Sequence, residues 1–281
     1  MNDLKVKEKL QQFFIEDIGE GDISTTTIFT DDDIQTGKFV VKDEGVIAGL
    51  SIIKLGFETL CSNVDVQINY TDGDKVHFGS CVAQVTGPVK TLLTGERVIL
   101  NLLQRMSGIA TFTRLAVETL NDKHTRICDT RKTTPGLRMF EKFAVRCGGG
   151  FNHRFGLYDG VMIKDNHITA AGGITQAVNK AKATLGHMVN IEVEVETEDE
   201  VLEAIEAGAH IIMFDNCPPD IMKKWVELVP AHIVTEASGG IKVSNLANYR
   251  NVGVDYISLG ALTHSVKSLD ISFNLQGGKK G

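Results

Sequence analysis

Hydrophobic and polar positions change rhythm three times along this chain. The stretch KVKEKLQQFFIED, from Lys5 to Asp17, repeats its apolar residues at helical spacing. Between Thr36 and Val89 the rhythm shortens to β-like runs, KFVVK, VDVQINY and SCVAQVTG, separated by the turn signals Asp72-Gly73-Asp74 and Gly87-Pro88. These predict a small domain built on a sheet. From about Leu92 to Leu120, Leu93, Ile99, Leu100, Leu103, Met106 and Leu115 restore apolar helical faces, predicting one long helix that bridges two domains.

Beyond Lys123, strand-like and helical runs alternate. IEVEVET reads as a strand, EDEVLEAIEAG as a helix ending at Gly208, HIIMFDN as a strand, and PPDIMKKWVEL as a helix with proline at its start. HIVTEAS, VSNLANYRNVG and VDYISLG continue the series. Glu194, Asp215, Glu236 and Gly260 recur at the predicted strand ends, 21, 21 and 24 residues apart. Units this short suit a β/α barrel better than a doubly wound sheet, and in either architecture ligands bind at the carboxyl ends of the strands. The last run, LDISFNLQ, alternates strictly, with Leu269, Ile271, Phe273 and Leu275 on one face. It predicts a half-buried strand returning to the first domain's sheet, followed by a frayed GGKKG.

Composition narrows the class. The 281 residues are 42% hydrophobic and 23% charged, with no low-complexity tract. No apolar run approaches the roughly 20 residues needed to cross a bilayer, and the first residues lack a signal-peptide core, so a cytoplasmic protein without a membrane partner is expected. Cys61, Cys81, Cys128, Cys147 and Cys217 are odd in number and never form CxxC, which indicates neither a disulfide framework nor a zinc site. The formal charge of −7 and pI near 5.6 argue against a nucleic-acid binder.

Against that acidity stands one basic stretch. Arg126 to Lys164 holds eight Lys or Arg residues against Asp129, Glu141 and Asp159, which points to a pocket for a polyanion. In DTRKTTPGLR, Arg131 and Lys132 would point in opposite directions on a strand and so serve two anionic groups, the arginine suiting a carboxylate and the lysine a phosphate. His153, Arg154 and Lys164 follow within the next elements. Lys164, at the end of VMIK, is placed to act either as a Schiff-base nucleophile or as an anion clamp. IEVEVE sets Glu192, Glu194 and Glu196 on one strand face, where carboxylates require cationic partners. Glu194 and Asp215 at neighbouring strand ends could hold Mg²⁺ or pair with Lys132 and Lys164. ASGGIK and SLGALTHS place Ser238, Gly239 and Gly240, then Gly260 and Ala261, in the last two β-to-α connections, where backbone N–H groups near helix starts suit a phosphate.

With these residues in view, the chain resembles the quinolinate phosphoribosyltransferases, the decarboxylating pyridine-nucleotide enzymes of NAD biosynthesis. The resemblance runs through EDIGEGDIS, GERVILNLLQRMSGIAT, DTRKTTPGLR, GGGFNHR, IKDNH, EVEVE, FDN, EASGGI and GALTHS, in the family's order. It implies an α/β fold: a small α/β sandwich domain over residues 1–112, an incomplete parallel β/α barrel over 113–266, and a strand in 267–276 returning to the first domain. It implies that Arg131, His153, Arg154 and Lys164 cradle the two carboxylates of quinolinate, joined by Arg97 from a partner subunit, so that the site is built in a homodimer or higher oligomer. Thr130 and Lys132 would flank the cradle, and Glu194 and Asp215 would handle the ribose and the Mg²⁺ of phosphoribosyl pyrophosphate. Ser238, Gly239, Gly240, Leu259, Gly260 and Ala261 would hold its 5-phosphate, with His264 close behind. The catalytic group so implied is Lys132, Lys164, Glu194 and Asp215. The competing readings are a related phosphoribosyltransferase for another pyridine carboxylate, a Schiff-base lyase using Lys164, and a noncatalytic anion-binding protein.

Overall fold

A computed structural model describes residues 1–276. The frayed end expected for GGKKG lies outside the described residues. The chain divides into two compact units: residues 1–114 with 135–149 and the segment from Ser265 onward, and residues 115–134 with 150–264.

The first unit begins with helices α1 (Asp3–Ile18) and α2 (Ile23–Ile28), followed by strands β1 (Ile34–Val41) and β2 (Gly45–Val46). Helix α3 (Leu50–Leu60), strands β3 (Asp65–Ile68), β4 (Lys75–Val76) and β5 (Cys81–Pro88), and the 32-residue helix α4 (Val89–Leu120) complete its first part. β1 sits at the centre of an antiparallel sheet between β5 and the chain's last strand, with Phe39 opposite Phe273. Phe39, Phe57 of α3 and Phe273 form one ring cluster, centroids 4.8–6.3 Å apart. The returning segment also lies on α4: Leu269 donates its N–H to the Gln104 carbonyl, and the Gln104 amide donates to Ile271. A Cβ at Gly108 would lie 2.2 Å from the Lys267 carbonyl oxygen, so this close approach requires glycine.

Strand β6 (Arg126–Cys128) is followed by helix α5 (Arg138–Cys147), and the structure corrects the expected continuous barrel segment there. Residues 135–149 belong to the first unit. Phe140, Ala144 and Val145 are buried, Phe140 packs 6.2 Å from the Phe13 ring, and the buried Glu141 carboxylate takes the Arg105 guanidinium at 2.5 Å. Within a basic run the sequence concealed an amphipathic helix, its cations Arg138, Lys142 and Arg146 spaced four apart.

The second unit continues with β7 (Val161–Ile163), α6 (Asp165–Ala171), α7 (Ile174–Lys182), β8 (Ile191–Val195), α8 (Glu198–Ala207), β9 (Ile211–Asp215), α9 (Pro219–Leu228) and β10 (Val234–Ser238). A 3₁₀ turn over Val243–Tyr249, β11 (Tyr256–Ser258) and the four-residue α10 (Ala261–His264) follow, and β12 (Ile271–Leu275) is the returning strand of the first unit. Strands β6–β11–β10–β9–β8–β7 form one parallel sheet, which does not close, although residue 151 bridges to Cys128 beside β6. Val193, Val195, Ile212 and Phe214 are buried between sheet and helices, which is why these strands read as apolar runs. α8 starts on a capping box of Thr197 and Glu200 and ends at Gly208 in a left-handed conformation. Among the described residues no helix is long and apolar enough to cross a membrane, and all five cysteines are free.

Candidate functional site

The carboxyl ends of the parallel strands surround a cavity of about 660 Å³. Thr130, Arg131, Lys132, His153, Arg154, Lys164, Glu194, Asp215, Ser238, Gly239 and Gly240 all line it, so eleven residues singled out in sequence meet in one place. The parallel register explains this. Glu194 pairs with Met213 and Asp215 with Ser238 across neighbouring strands, and with a period of two these positions face the barrel interior.

Each cation is held differently. Arg131 and Lys132 lie beyond the end of β6 rather than on it; the Thr133 N–H returns to the Arg131 carbonyl and the Lys132 N–H to Thr130 Oγ1, and both side chains line the same cavity instead of opposite faces. Arg154 is anchored through Nη1 to the Gly160 carbonyl at 2.8 Å. Burial, then the neighbouring Arg131, push the Arg154 guanidinium below its ordinary value. Two like charges crowded into a partly buried site are stabilised by an anion between them. Lys164 caps α6 and donates through Nζ to Glu194 Oε2 at 2.5 Å. Asp215 Oδ2 accepts from the Asn216 amide at 2.6 Å.

The glycines after β10 are set by close packing. Gly239 and Gly240 have φ of +81° and +65°, and a Cβ on Gly239 would lie 2.7 Å from the Asn216 backbone nitrogen. The connection leads into a 3₁₀ turn and the one after β11 into a helix of only four residues. Leu259 is buried, and Gly260, Ala261 and His264 are not among the lining residues. Gly260 instead backs Lys132: a Cβ would sit 2.9 Å from Lys132 Cδ, while Thr263 Oγ1 donates to the Lys132 carbonyl. Arg97 is exposed on α4 in the first unit and is not among the lining residues either.

The three-glutamate face is corrected. Glu196 is exposed beyond the end of β8 and Glu194 is half-buried, whereas Glu192 is buried. Glu236 is not at a strand end facing the mouth; it sits mid-strand in β10, buried, and lines a second cavity of about 380 Å³ with Glu192, Asn152, Asn190 and Tyr256. His153 and Arg154 line both cavities. His153 Nδ1 accepts the Arg154 N–H at 2.7 Å, which leaves Nε2 to donate toward Glu192, 3.2 Å away, with Glu236 at 3.7 Å. Burial, reinforced by Glu192, pushes the Glu236 carboxyl up to about 7. Ser258 donates its hydroxyl to Glu236 and lies 3.1 Å from the Cys128 thiol.

Met162, Met213, Asn216 and Ser258 line the first cavity without having been singled out. The alternation that marked Lys164 and Asp215 contains Met162 and Met213 two residues earlier, and Ser258 follows inward-facing Tyr256 by two. Two arrangements offer metal-type donors. Glu194 and Asp215 present hard oxygens to the same cavity as the Gly239–Gly240 connection, a donor chemistry that fits Mg²⁺. His153, Glu192 and Glu236 have donor atoms within 4.8 Å of one another but form hydrogen-bonding and ionic contacts among themselves.

Comparison with known proteins divides the chain once, near residue 108, whereas the compact units interleave. A model of the quinolinate phosphoribosyl transferase N-terminal domain matches residues 22–107, and one of its C-terminal domain matches residues 109–274. A probable nicotinate-nucleotide pyrophosphorylase, carboxylating, of Bacillus subtilis is 58% identical over 98% of this chain and 95% of its own length. The crystal structure of NadC from Streptococcus pyogenes superposes with a TM-score of 0.94 at 40% identity, covering 99% of this chain and 97% of its own. A nicotinate-nucleotide pyrophosphorylase structure from Francisella tularensis gives 0.93 at 37% identity, covering 98% of each chain.

Proposed function

The chain belongs to the quinolinate phosphoribosyltransferase family, and from that premise we propose that it transfers the phosphoribosyl group of phosphoribosyl pyrophosphate to quinolinate, releasing CO₂, pyrophosphate and nicotinate mononucleotide for NAD biosynthesis. The observation that supports the dicarboxylate most directly is the crowding of Arg131 against the partly buried Arg154, with Lys132 and Lys164 lining the same cavity. A dianionic pyridine must meet a polyanionic donor, and four cations in one cavity offset their repulsion.

In this reading Arg131, Arg154 and Lys164, with His153 beneath, orient the two ring carboxylates, and Lys132 faces the donor. Positive charge develops at the ribose C1 as pyrophosphate leaves, and the Glu194 and Asp215 carboxylates stabilise it. The pyridine nitrogen then bonds to C1. The quaternised ring accepts the electron pair of the C2–carboxylate bond, CO₂ departs, and C2 takes up a proton. No protein nucleophile enters the reaction; positioning and electrostatics supply the acceleration. Glu194 and Asp215 would hold Mg²⁺, which when bound would supply charge neutralisation for the leaving pyrophosphate.

We further propose a cytoplasmic homodimer in which Arg97 reaches the partner's site, as a dimer or within a larger assembly. The Schiff-base alternative is disfavoured by the Lys164–Glu194 ion pair, which engages the amine. Incubation of purified protein with quinolinate, phosphoribosyl pyrophosphate and Mg²⁺ is expected to yield CO₂ and pyrophosphate in equal amounts. Release of neither product overturns the assignment, and borohydride trapping of Lys164 with a carbonyl substrate would replace it with the lyase.

A further inference from the structure

Loss of CO₂ leaves an electron pair on pyridine C2 beside the quaternary nitrogen, and the product needs a hydrogen there. The donor must reach the first cavity and be reloaded without crossing a substrate-filled mouth. The Ser258–Glu236 pair meets both conditions. Ser258 lines the first cavity, Glu236 lines the second, and the Ser258 hydroxyl and Glu236 carboxylate are joined by a hydrogen bond inside the barrel. The mouth-side acids are otherwise engaged: Glu194 is committed to Lys164, and Asp215 accepts from Asn216.

We propose that Ser258 and Glu236 form a proton relay through the barrel, which delivers a proton to C2 as the carboxylate leaves. The inference rests on the decarboxylating reading above. As the C2–carboxylate bond breaks and CO₂ departs, the bond's electron pair moves onto C2. The Ser258 hydroxyl, which donates to Glu236 in the free site, turns to C2; the forming pair takes its proton in the C2–H bond, while Ser258 Oγ takes the proton carried by Glu236. Glu236 is left as a carboxylate and recovers its proton from water in the second cavity. Glu236 is suited to the task because burial and the facing Glu192 favour its protonated form near neutral pH. The Cys128 thiol, 3.1 Å from Ser258 Oγ, also keeps its proton, since burial and Glu236 push it well above its ordinary value. The His153 ring, facing both Glu192 and Glu236, orients the acid and separates the two cavities.

Single-turnover quench measurements that follow pyrophosphate and CO₂ separately test the relay. In Ser258→Ala and Glu236→Gln, pyrophosphate is expected at the wild-type rate while CO₂ slows by about a hundredfold, a typical general-acid contribution. Quinolinate mononucleotide should then accumulate, and Ser258→Thr, which keeps a hydroxyl, should restore CO₂ release. If CO₂ keeps pace with pyrophosphate in Ser258→Ala, whether both are unchanged or both fall together, the relay is wrong and the serine only packs or positions. Ser258→Ala decides alone if Glu236→Gln fails to fold. Failure of the family reading looks different: wild-type protein would then release neither product.

Discussion

At the scale of single residues, the cavity assigns unequal tasks to cations that look alike in sequence. Arg154 is fixed by the Gly160 carbonyl and crowded by Arg131, so its guanidinium is presented as a preorganised fork for a carboxylate. Arg154→Lys keeps the charge but loses the fork. It is expected to raise KM for quinolinate about 10- to 100-fold, equivalent to one lost charge-assisted contact, and to leave KM for phosphoribosyl pyrophosphate within a few-fold. Equal effects on both substrates would reassign the residue. The buried Glu236 makes a separate prediction about stability. Its folded-state value, about 7, stands above the ordinary 4.5, so the folded protein prefers the protonated acid. The stabilisation is complete below about pH 4.5 and is lost as pH rises through 7. Glu236→Gln, which cannot ionise, is therefore expected to gain melting temperature relative to wild type between pH 5 and pH 8. A difference that stays constant across that range would show that Glu236 does not titrate in the fold.

At the scale of elements, what the sequence revealed depended on whether the signal was local. Strands β8 and β9 and their acids were legible because an apolar run ending in Glu194 or Asp215 is its own evidence, and β12 was legible from strict alternation. Helix α5 was not, since its cations matched the neighbouring site cations and nothing local showed that Arg105 takes Glu141. Glu236 was misread because spacing counts residues, while depth depends on register: it pairs with Met213, two positions short of the strand end that Asp215 and Ser238 share. Burial in a second cavity is visible only in three dimensions. The connection after β10 illustrates the same point for backbone. Two adjacent glycines read as a connection suited to a phosphate, but the sequence does not show that Gly239 is held at φ +81° against Asn216, itself left-handed at +50°. Gly239→Ala is expected to cost about 1–3 kcal/mol through strain at positive φ and the clash with Asn216, read as a lowered melting temperature. If this connection holds the donor's phosphate, KM for phosphoribosyl pyrophosphate rises with it. Gly240→Ala, which is equally left-handed but has Asn216 Oδ1 no nearer than 3.7 Å, should cost less, and equal costs would remove the packing explanation.

At the scale of the whole molecule, the basic stretch divides. Of its eight cations, Arg131, Lys132, Arg154 and Lys164 line the cavity, Arg138, Lys142 and Arg146 belong to a helix of the first unit, and Arg126 stacks 4.7 Å from the Phe151 ring. The proposed dimer adds one further cation to the cradle, Arg97, which is exposed on α4. Exposed apolar residues on the first unit, Leu4 and Ile15 of α1 with Ile23 and Ile28 of α2, are the kind of surface an assembly covers. Mixing experiments turn this into arithmetic. Arg97→Ala removes a group donated to the neighbour, and Lys164→Ala removes one used at home, so each homodimer is inactive at both sites. In a two-fold hybrid one site collects both substitutions and the other collects neither. Random exchange of equal amounts makes half the dimers hybrid, each with one intact site, so about a quarter of wild-type activity is expected. Exchange is verified by tagging one variant and recovering the other with it. Recovered hybrids without activity would place Arg97 in its own subunit's chemistry, whereas activity near a quarter requires the site to be shared.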